Sequence, residues 1–326
     1  MNETIKTENE TLGGLKREKT EKAIKRWDSS DITLFCLAMM GILFLAVFAY
    51  APLFGVLLGF KEDDGTLNIV TQLTQSKWDG LSNFKTFLTD KDFIAVLSNT
   101  LGLNLLQLLF NFPAPIVFAL LLNEVLHDKV KKTVQLSTYF PYFISWVAFG
   151  GCILALMDTE GGLLNTAMLK LNIISEPINF GEAKYFWGTI IITSIIKGVG
   201  WGSIIYVAAI TGIDKSLYEA AQIDGAGRWA KIFYITIPSI SRTVTLFLVL
   251  SVSGLLNNGF DHIWTFQNQI NLSKSEVIDT FVVKYGISDH RYPYATAVGL
   301  FKSVISWILL LAANKVSKLI TGEGIY

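Results

Sequence analysis

The chain has 326 residues, equal numbers of acidic and basic side chains and a pI near 6.8, which gives no reason to expect nucleic acid as a partner. Hydrophobic residues make up 51% of it and charged residues only 17%, against roughly 25% in typical soluble domains, so the composition points to a membrane bundle. Cys36 and Cys152 are the only cysteines and both lie in apolar runs, which excludes a disulfide framework and a zinc site. Residues 1–31 form a polar tail with seven Lys or Arg. The run 32–60 follows without a charge in 29 residues, too long for a signal-peptide core of about 7–15, and is read as an uncleaved first span. At 1.5 Å per residue about 20 residues cross ~30 Å of hydrocarbon. Five more runs qualify, at 96–122, 136–157, 185–213, 235–256 and 294–320. The expected fold is all-α: a polytopic bundle of six transmembrane helices, with 32–326 as one membrane domain. Six spans put both termini on one side. The tail, the gaps 123–135 and 214–234 and the end 314–326 hold 15 Lys or Arg in about 78 residues, and the opposite loops hold 9 in about 99, so the first set is placed in the cytoplasm.

Within the spans, Pro113 and Pro115 are expected to bend the second. Just before them Asn104, Gln107 and Asn111 form a polar stripe, read as interhelical hydrogen bonding ahead of the alternative, lining a passage. In the third run Tyr139, Tyr142, Phe143, Trp146 and Phe149 are expected to share one helix face, for packing or lipid contact or, alternatively, for sugar rings. In the fourth, Gly198 and Gly202 are expected to admit a close neighbouring helix. Lys197 lies well inside hydrocarbon depth, where a Lys costs roughly 2.5–3.5 kcal/mol and needs a partner. Backbone carbonyls, a second subunit, water or an anionic substrate would serve. The external loops carry scattered His and Asp, but no metal-ligand spacing, no Gly-x-Ser-x-Gly and no phosphate-binding Gly-x-x-x-x-Gly-Lys-Ser/Thr occurs, so neither catalysis nor nucleotide hydrolysis is expected of this chain.

The stretch about 214–238 lies in a polar gap between two spans. Ser216 and Glu219 read as a capping box that starts a helix, with Leu217, Ala220 and Ala221 on one small-residue face. Gly225 is expected to end that helix in the left-handed conformation. Asp224 is expected to cap a second helix, 226–235, with Arg228 supporting the turn, before Pro238 leads into the next span.

Glu219-Ala220-Ala221, Gly225 and Ile235-x-Ile237-Pro238 at these spacings resemble the EAA loop of binding-protein-dependent ABC importer permeases, with Ile237 where Leu is usual. The stretches 140–146, 197–209, 277–282 and 295–303 resemble the branch that takes oligosaccharides or polysaccharide fragments of rhamnogalacturonan and alginate type. The resemblance implies a type I importer fold in a bacterial cytoplasmic membrane, with the loop seated on an ATPase subunit. It implies as partners a second, different permease, two ATPase subunits that bind the ATP and magnesium, an extracytoplasmic solute-binding protein, the oligosaccharide and membrane lipid. Glu219, Ala220, Ala221, Asp224, Gly225, Arg228 and Pro238 are then the coupling candidates, and Lys197, Trp201, Tyr142, Trp146, Asn104 and Gln107 the candidates for the substrate path. No cofactor or catalytic residue is expected in this chain. A permease for a small sugar or other small polar solute is the alternative. A secondary transporter fits less well, because none of the six runs contains an Asp or Glu for ion coupling.

Overall fold

A computed structural model describes residues 28–321, with side chains to 319; the greater part of the N-terminal tail and the last five residues lie outside the described residues. Among the described residues the chain is helical, without a strand; one isolated bridge joins Lys61 and Trp78. It divides into two compact units, one ending at Phe54 and one beginning at Gly55.

The first span starts at helix α1 (Ser29–Leu45), capped by the Asp28 carboxylate, and continues through a π turn and a 3₁₀ stretch to Phe60. Short helices at Ile69–Gln75 and Ser82–Leu88 follow. The second span is α2 (Phe93–Phe110) and α3 (Pro113–Asn123). Their junction is where Pro113 and Pro115 supply no N–H, and Phe112 N reaches back to Gln107 O, five residues away. The fourth span is α6 (Ala183–Thr211), after α4 (Asp128–Tyr139) and α5 (Trp146–Leu156). Then come α7 (Lys215–Ile223), α8 (Ile237–Ser253), α9 (Phe260–Phe266), α10 (Leu272–Ser275), α11 (Ile278–Val283) and α12 (Tyr292–Thr321).

Among the described residues five helical stretches are long and apolar enough to cross a membrane: Ser29–Phe60, Phe93–Asn123, Ala183–Thr211, Arg228–Ser253 and Tyr292–Leu319. The sixth expected span is not one straight helix. Its two halves, Asp128–Phe143 and Trp146–Leu156, are bent by 105°. The cause is local: Pro141 cannot donate to the carbonyl four residues earlier, Ile144 is extended, and the Ser145 hydroxyl caps a new helix by accepting from Ala148 N. The aromatic residues 139–149 therefore do not share one face, which corrects that expectation.

Apolar burial is divided among three clusters. One gathers Phe87, Val96, Leu256, Ile278, Phe281, Tyr294 and Val298; a second gathers Leu103, Phe186, Ile190, Ile263, Phe266 and Val277. Both are built around the connection 257–293, which the sequence presents as a loop. The third, Ala119, Tyr206, Ile210 and Ile240, packs the spans on either side of the 214–238 stretch. Close helix contact in α6 occurs at Gly202, as expected, and at Gly200; the contact expected at Gly198 is not made. A Cβ on Gly200 would lie 2.3 Å from Thr138 O and one on Gly202 3.0 Å from Pro115, whereas Gly198 has nothing within 4 Å.

Candidate coupling loop and transport cavity

Helix α7 begins one residue before Ser216. Asp214 is the cap, and its carboxylate accepts the Ser216 amide at 2.9 Å. The Ser216–Glu219 capping box does not form, because the Ser216 amide is already taken and Ser216 itself lies in the first turn. That same backbone bond holds the Asp214 carboxyl below its ordinary value. Glu219 and Ala220 are exposed and Ala221 is half-buried.

The end of α7 is a Schellman turn. Gly225 has φ +76°, its amide bonds Gln222 O at 3.1 Å, and the Ala226 amide reaches Ala221 O at 2.8 Å. Asp224 is the C-cap of α7 and does not cap a second helix; Gly227 precedes the next helical residues, Arg228–Lys231, without a side-chain cap. The side chains of Asp224 and Arg228 make no hydrogen bond or ion pair among the described residues. From Ile232 to Thr236 the helix widens into a π turn, in which Ile237 N bonds Ile232 O. The wider turn precedes Pro238 at the start of α8, where an α-helical bond to Tyr234 has no donor. Helical conformation thus runs from Arg228 to Ser253, in place of a separate helix 226–235.

Two side-chain bonds tie α7 to this helix: the Tyr218 and Thr236 hydroxyls lie 2.9 Å apart on its buried side, and Lys231 Nζ donates to Gln222 Oε1 at 3.4 Å. The opposite surface is apolar and bare: Ile223 is 88% exposed, Tyr234 83% and Trp229 69%, and Trp229 stacks on Phe233. A capped helix, a glycine turn and unburied large side chains together leave an apolar surface uncovered at the entrance to the fifth span.

On the spans, a cavity of about 800 Å³ lies between α2, α3, α6 and α8. Asn104, Gln107, Asn111, Trp201, Ser251 and Asn257 contribute to its wall, and no Asp, Glu, Lys, Arg or His does. Asn104 Nδ2, Gln107 Nε2 and Asn111 Oδ1 are buried without a hydrogen-bond partner among the described residues. The polar stripe therefore faces a cavity, and those three amide atoms do not bond between helices. A buried amide left unpaired costs about 1–3 kcal/mol, which a polar occupant of the cavity would offset.

Tyr142, Trp146 and Lys197 do not line this cavity. Tyr142 stacks on the back of Trp201, with centroids 4.7 Å apart and planes within 7°. Trp146 stacks on His262 at 3.6 Å, and His262 Nε2 lies 2.9 Å from the Thr193 hydroxyl. The single Thr193 proton is claimed by Thr189 O at 2.7 Å, so His262 is the Nε2–H donor. Lys197 is 6% exposed, and its ammonium donates to the carbonyls of Pro141 and Tyr142 at 2.9 Å and of Ile144 at 2.5 Å. Of the partners open to it from the sequence, backbone carbonyls are the ones it has, and all three N–H groups are spent on them.

A second pairing was readable only in halves. Lys302, in the sixth span, forms an ion pair with Asp279, whose other oxygen accepts the Asn258 amide at 3.1 Å. The signal was the charge of Lys302 inside an apolar run. His262 and Asn257 gave none, standing in a segment that reads as loop.

Residues 100–321 match the family described as binding-protein-dependent transport system inner membrane component. The chain is 38% identical over 305 residues to Protein LplB of Bacillus subtilis (strain 168), covering 93% of each. It is 37% identical over 294 residues, 90% of each, to the polygalacturonan/rhamnogalacturonan transport system permease protein YteP of the same organism. A chain in the crystal structure of a bacterial alginate ABC transporter, in complex with alginate pentasaccharide-bound periplasmic protein, superposes with a TM-score of 0.80 at 33% identity, covering 91% of this chain and 97% of that one. A further structure, of a bacterial ABC transporter involved in the import of the acidic polysaccharide alginate, also superposes at 0.80. The family match, the all-helical fold and the long apolar helices agree, and the chain is a multi-pass membrane protein that belongs to the binding-protein-dependent transport system inner membrane component family.

Proposed function

We propose that this chain is one permease subunit of an ATP-driven importer of oligosaccharides or polysaccharide fragments. It pairs with a second, different permease, takes its substrate from an extracytoplasmic binding protein and is driven by two separate ATPase subunits, which bind the nucleotide and magnesium. The observation that carries the reading is the bare apolar surface of 217–234, held by the Gly225 turn at the entrance to the fifth span. A rigid helix that seats in an ATPase groove transmits its movement directly into α8, which walls the cavity. Closure of the ATPase dimer then rocks the bundle so that the cavity opens outward, and release reverses it. One relative is named for polygalacturonan/rhamnogalacturonan transport and one solved structure for import of the acidic polysaccharide alginate, and the amide-rich, charge-free wall suits the hydroxyls of a glycan chain. Both termini and the 214–238 loop face the cytoplasm, and this chain performs no chemistry of its own.

The test is co-purification and turnover. The tagged chain retains an ATPase subunit, and a loaded binding protein stimulates ATP hydrolysis when oligosaccharides, but not unrelated solutes, are supplied. A reporter active only in the cytoplasm works after Lys131 and after Thr321 and fails within 165–175. ATPase association without glycan stimulation overturns the substrate class, and an active reporter within 165–175 overturns the topology.

A further inference from the structure

Lys197 is the most costly side chain in the fourth span, and the cavity does not use it. Its ammonium lies at the break of the third span, taking the carbonyls of residues 141, 142 and 144, the first of which also accepts the Ile144 amide at 3.3 Å. The faces of Trp146 at 5.1 Å, Tyr142 at 5.7 Å and Phe149 at 5.8 Å surround it. These contacts fix the backbone on both sides of the bend, and so fix the ring of Tyr142. That ring lies flat on Trp201, with Phe143 edge-on to the same indole at 5.3 Å. Trp201 is the one residue of this group that reaches the cavity wall.

We propose that Lys197 is a positioning residue for transport: it clamps the bend of the third span and thereby holds Trp201, through Tyr142, as a rigid part of the cavity wall. Its charge neutralises carbonyl dipoles of its own subunit and is not offered to the substrate. Neutral and acidic glycans therefore depend on it equally. The proposal rests on the transport reading above, and it deepens that reading by separating the charge in this span from substrate selection.

The experiment uses the complete complex reconstituted in sealed proteoliposomes, with wild-type, Lys197→Met, Trp201→Ala and double-variant subunits. Lys197→Met is expected to lower oligosaccharide uptake roughly tenfold in the wild-type background and hardly at all in the Trp201→Ala background, because both changes act on one wall. Matched neutral and uronate oligosaccharides lose equally. The emission of Trp201, obtained as the difference from Trp201→Phe, becomes more accessible to acrylamide in Lys197→Met. Tyr142→Leu, which leaves the ammonium and its carbonyls in place, reproduces the uptake loss and the quenching change even where Lys197→Met fails to assemble. Losses that multiply independently, unchanged Trp201 quenching, a loss confined to uronates, or a Tyr142→Leu complex that behaves as wild type would each overturn the proposal. A wild-type complex that takes up no oligosaccharide refutes the transport reading instead, and the quenching comparison still decides the clamp.

Discussion

The two connections that flank the fifth span differ in what they bury. The stretch 214–234 is held by bonds close in sequence and by two side-chain ties, Tyr218 to Thr236 and Lys231 to Gln222, and it leaves Ile223, Trp229 and Tyr234 in the open. The connection 257–293 is longer and charged, yet it supplies fully buried Ile263, Val277, Ile278 and Phe281 to two apolar clusters. Distant elements hold it: Asn99 donates to the carbonyls of Ser273 and Glu276, Thr100 accepts the Ile278 amide, Trp187 donates to Lys274 O, and Lys302 pairs with Asp279. One connection is part of the chain's own core, and the other leaves its large apolar side chains uncovered. Changes in the first should therefore be read in stability, and changes in the second in coupling.

The sharpest way to break that contrast is at the ion pair, whose side chains are only 19% and 16% exposed. Lys302→Met leaves the Asp279 carboxylate without its cation and is expected to cost about 3 kcal/mol, since removing one member of a buried pair typically costs 3–5. Thermal unfolding of the purified complex measures it. Replacing both partners by apolar residues recovers most of the loss. A Lys302→Met complex that unfolds at the wild-type temperature would place 257–293 with the loop rather than with the core.

Gly225→Asp tests the other side. Nothing lies within 4 Å of a Cβ built at Gly225, so the strain is confined to the backbone at φ +76°, about 1–2 kcal/mol for a residue with a Cβ. Six spans tolerate that, and expression and insertion stay normal. The turn opens, ATPase association weakens and uptake falls roughly tenfold or more. A variant that keeps both uptake and its ATPase would remove the docking role from the loop.

The smallest effect is expected at Asp214. Its native carboxyl is held below the ordinary 3.8, chiefly by the Ser216 backbone bond. The contribution of this cap is therefore complete above about pH 3.8 and is lost only as pH falls through the lower native value, so coupling shows no Asp214-dependent change between roughly pH 5 and 8. Asp214→Asn keeps a capping oxygen and stays near wild-type uptake. A fall as large as that of Gly225→Asp would make the start of α7, and not its end, the critical point.

Those features that depend on local chemistry were legible in the residues. Apolar runs located the spans, and Gly225 marked the end of α7 because only a left-handed residue satisfies the last carbonyls there. The start of α7 was misread because Asp214 and Ser216 are both competent caps, and one backbone amide decided between them. The bend of the third span was hidden by apolar residues that continue through it, with Pro141 and Ser145 as the only punctuation. For Lys197 the residues left backbone carbonyls as one of four kinds of partner without choosing among them: the carbonyls lie on another span, and a carbonyl has no signature in a sequence. The burial of 257–293 was missed for a related reason, since its polar groups are satisfied by Asn99, Thr100 and Trp187, more than 80 residues away.

The π turn at Ile232–Thr236 has the effect of an inserted residue. At 3.6 residues per turn, one residue is worth ~100° of rotation about the helix axis, so everything from Ile237 to Ser253 is turned by that amount relative to an uninterrupted α-helix. Phe247 and Ser251, which line the cavity, lie on the far side of this offset from Trp229. The angular phase between the exposed surface of 217–234 and the cavity wall thus includes a single extra residue. A one-residue deletion within 232–236 would leave hydrophobicity and span length almost unchanged while aiming the fifth span's lining side chains away from the path.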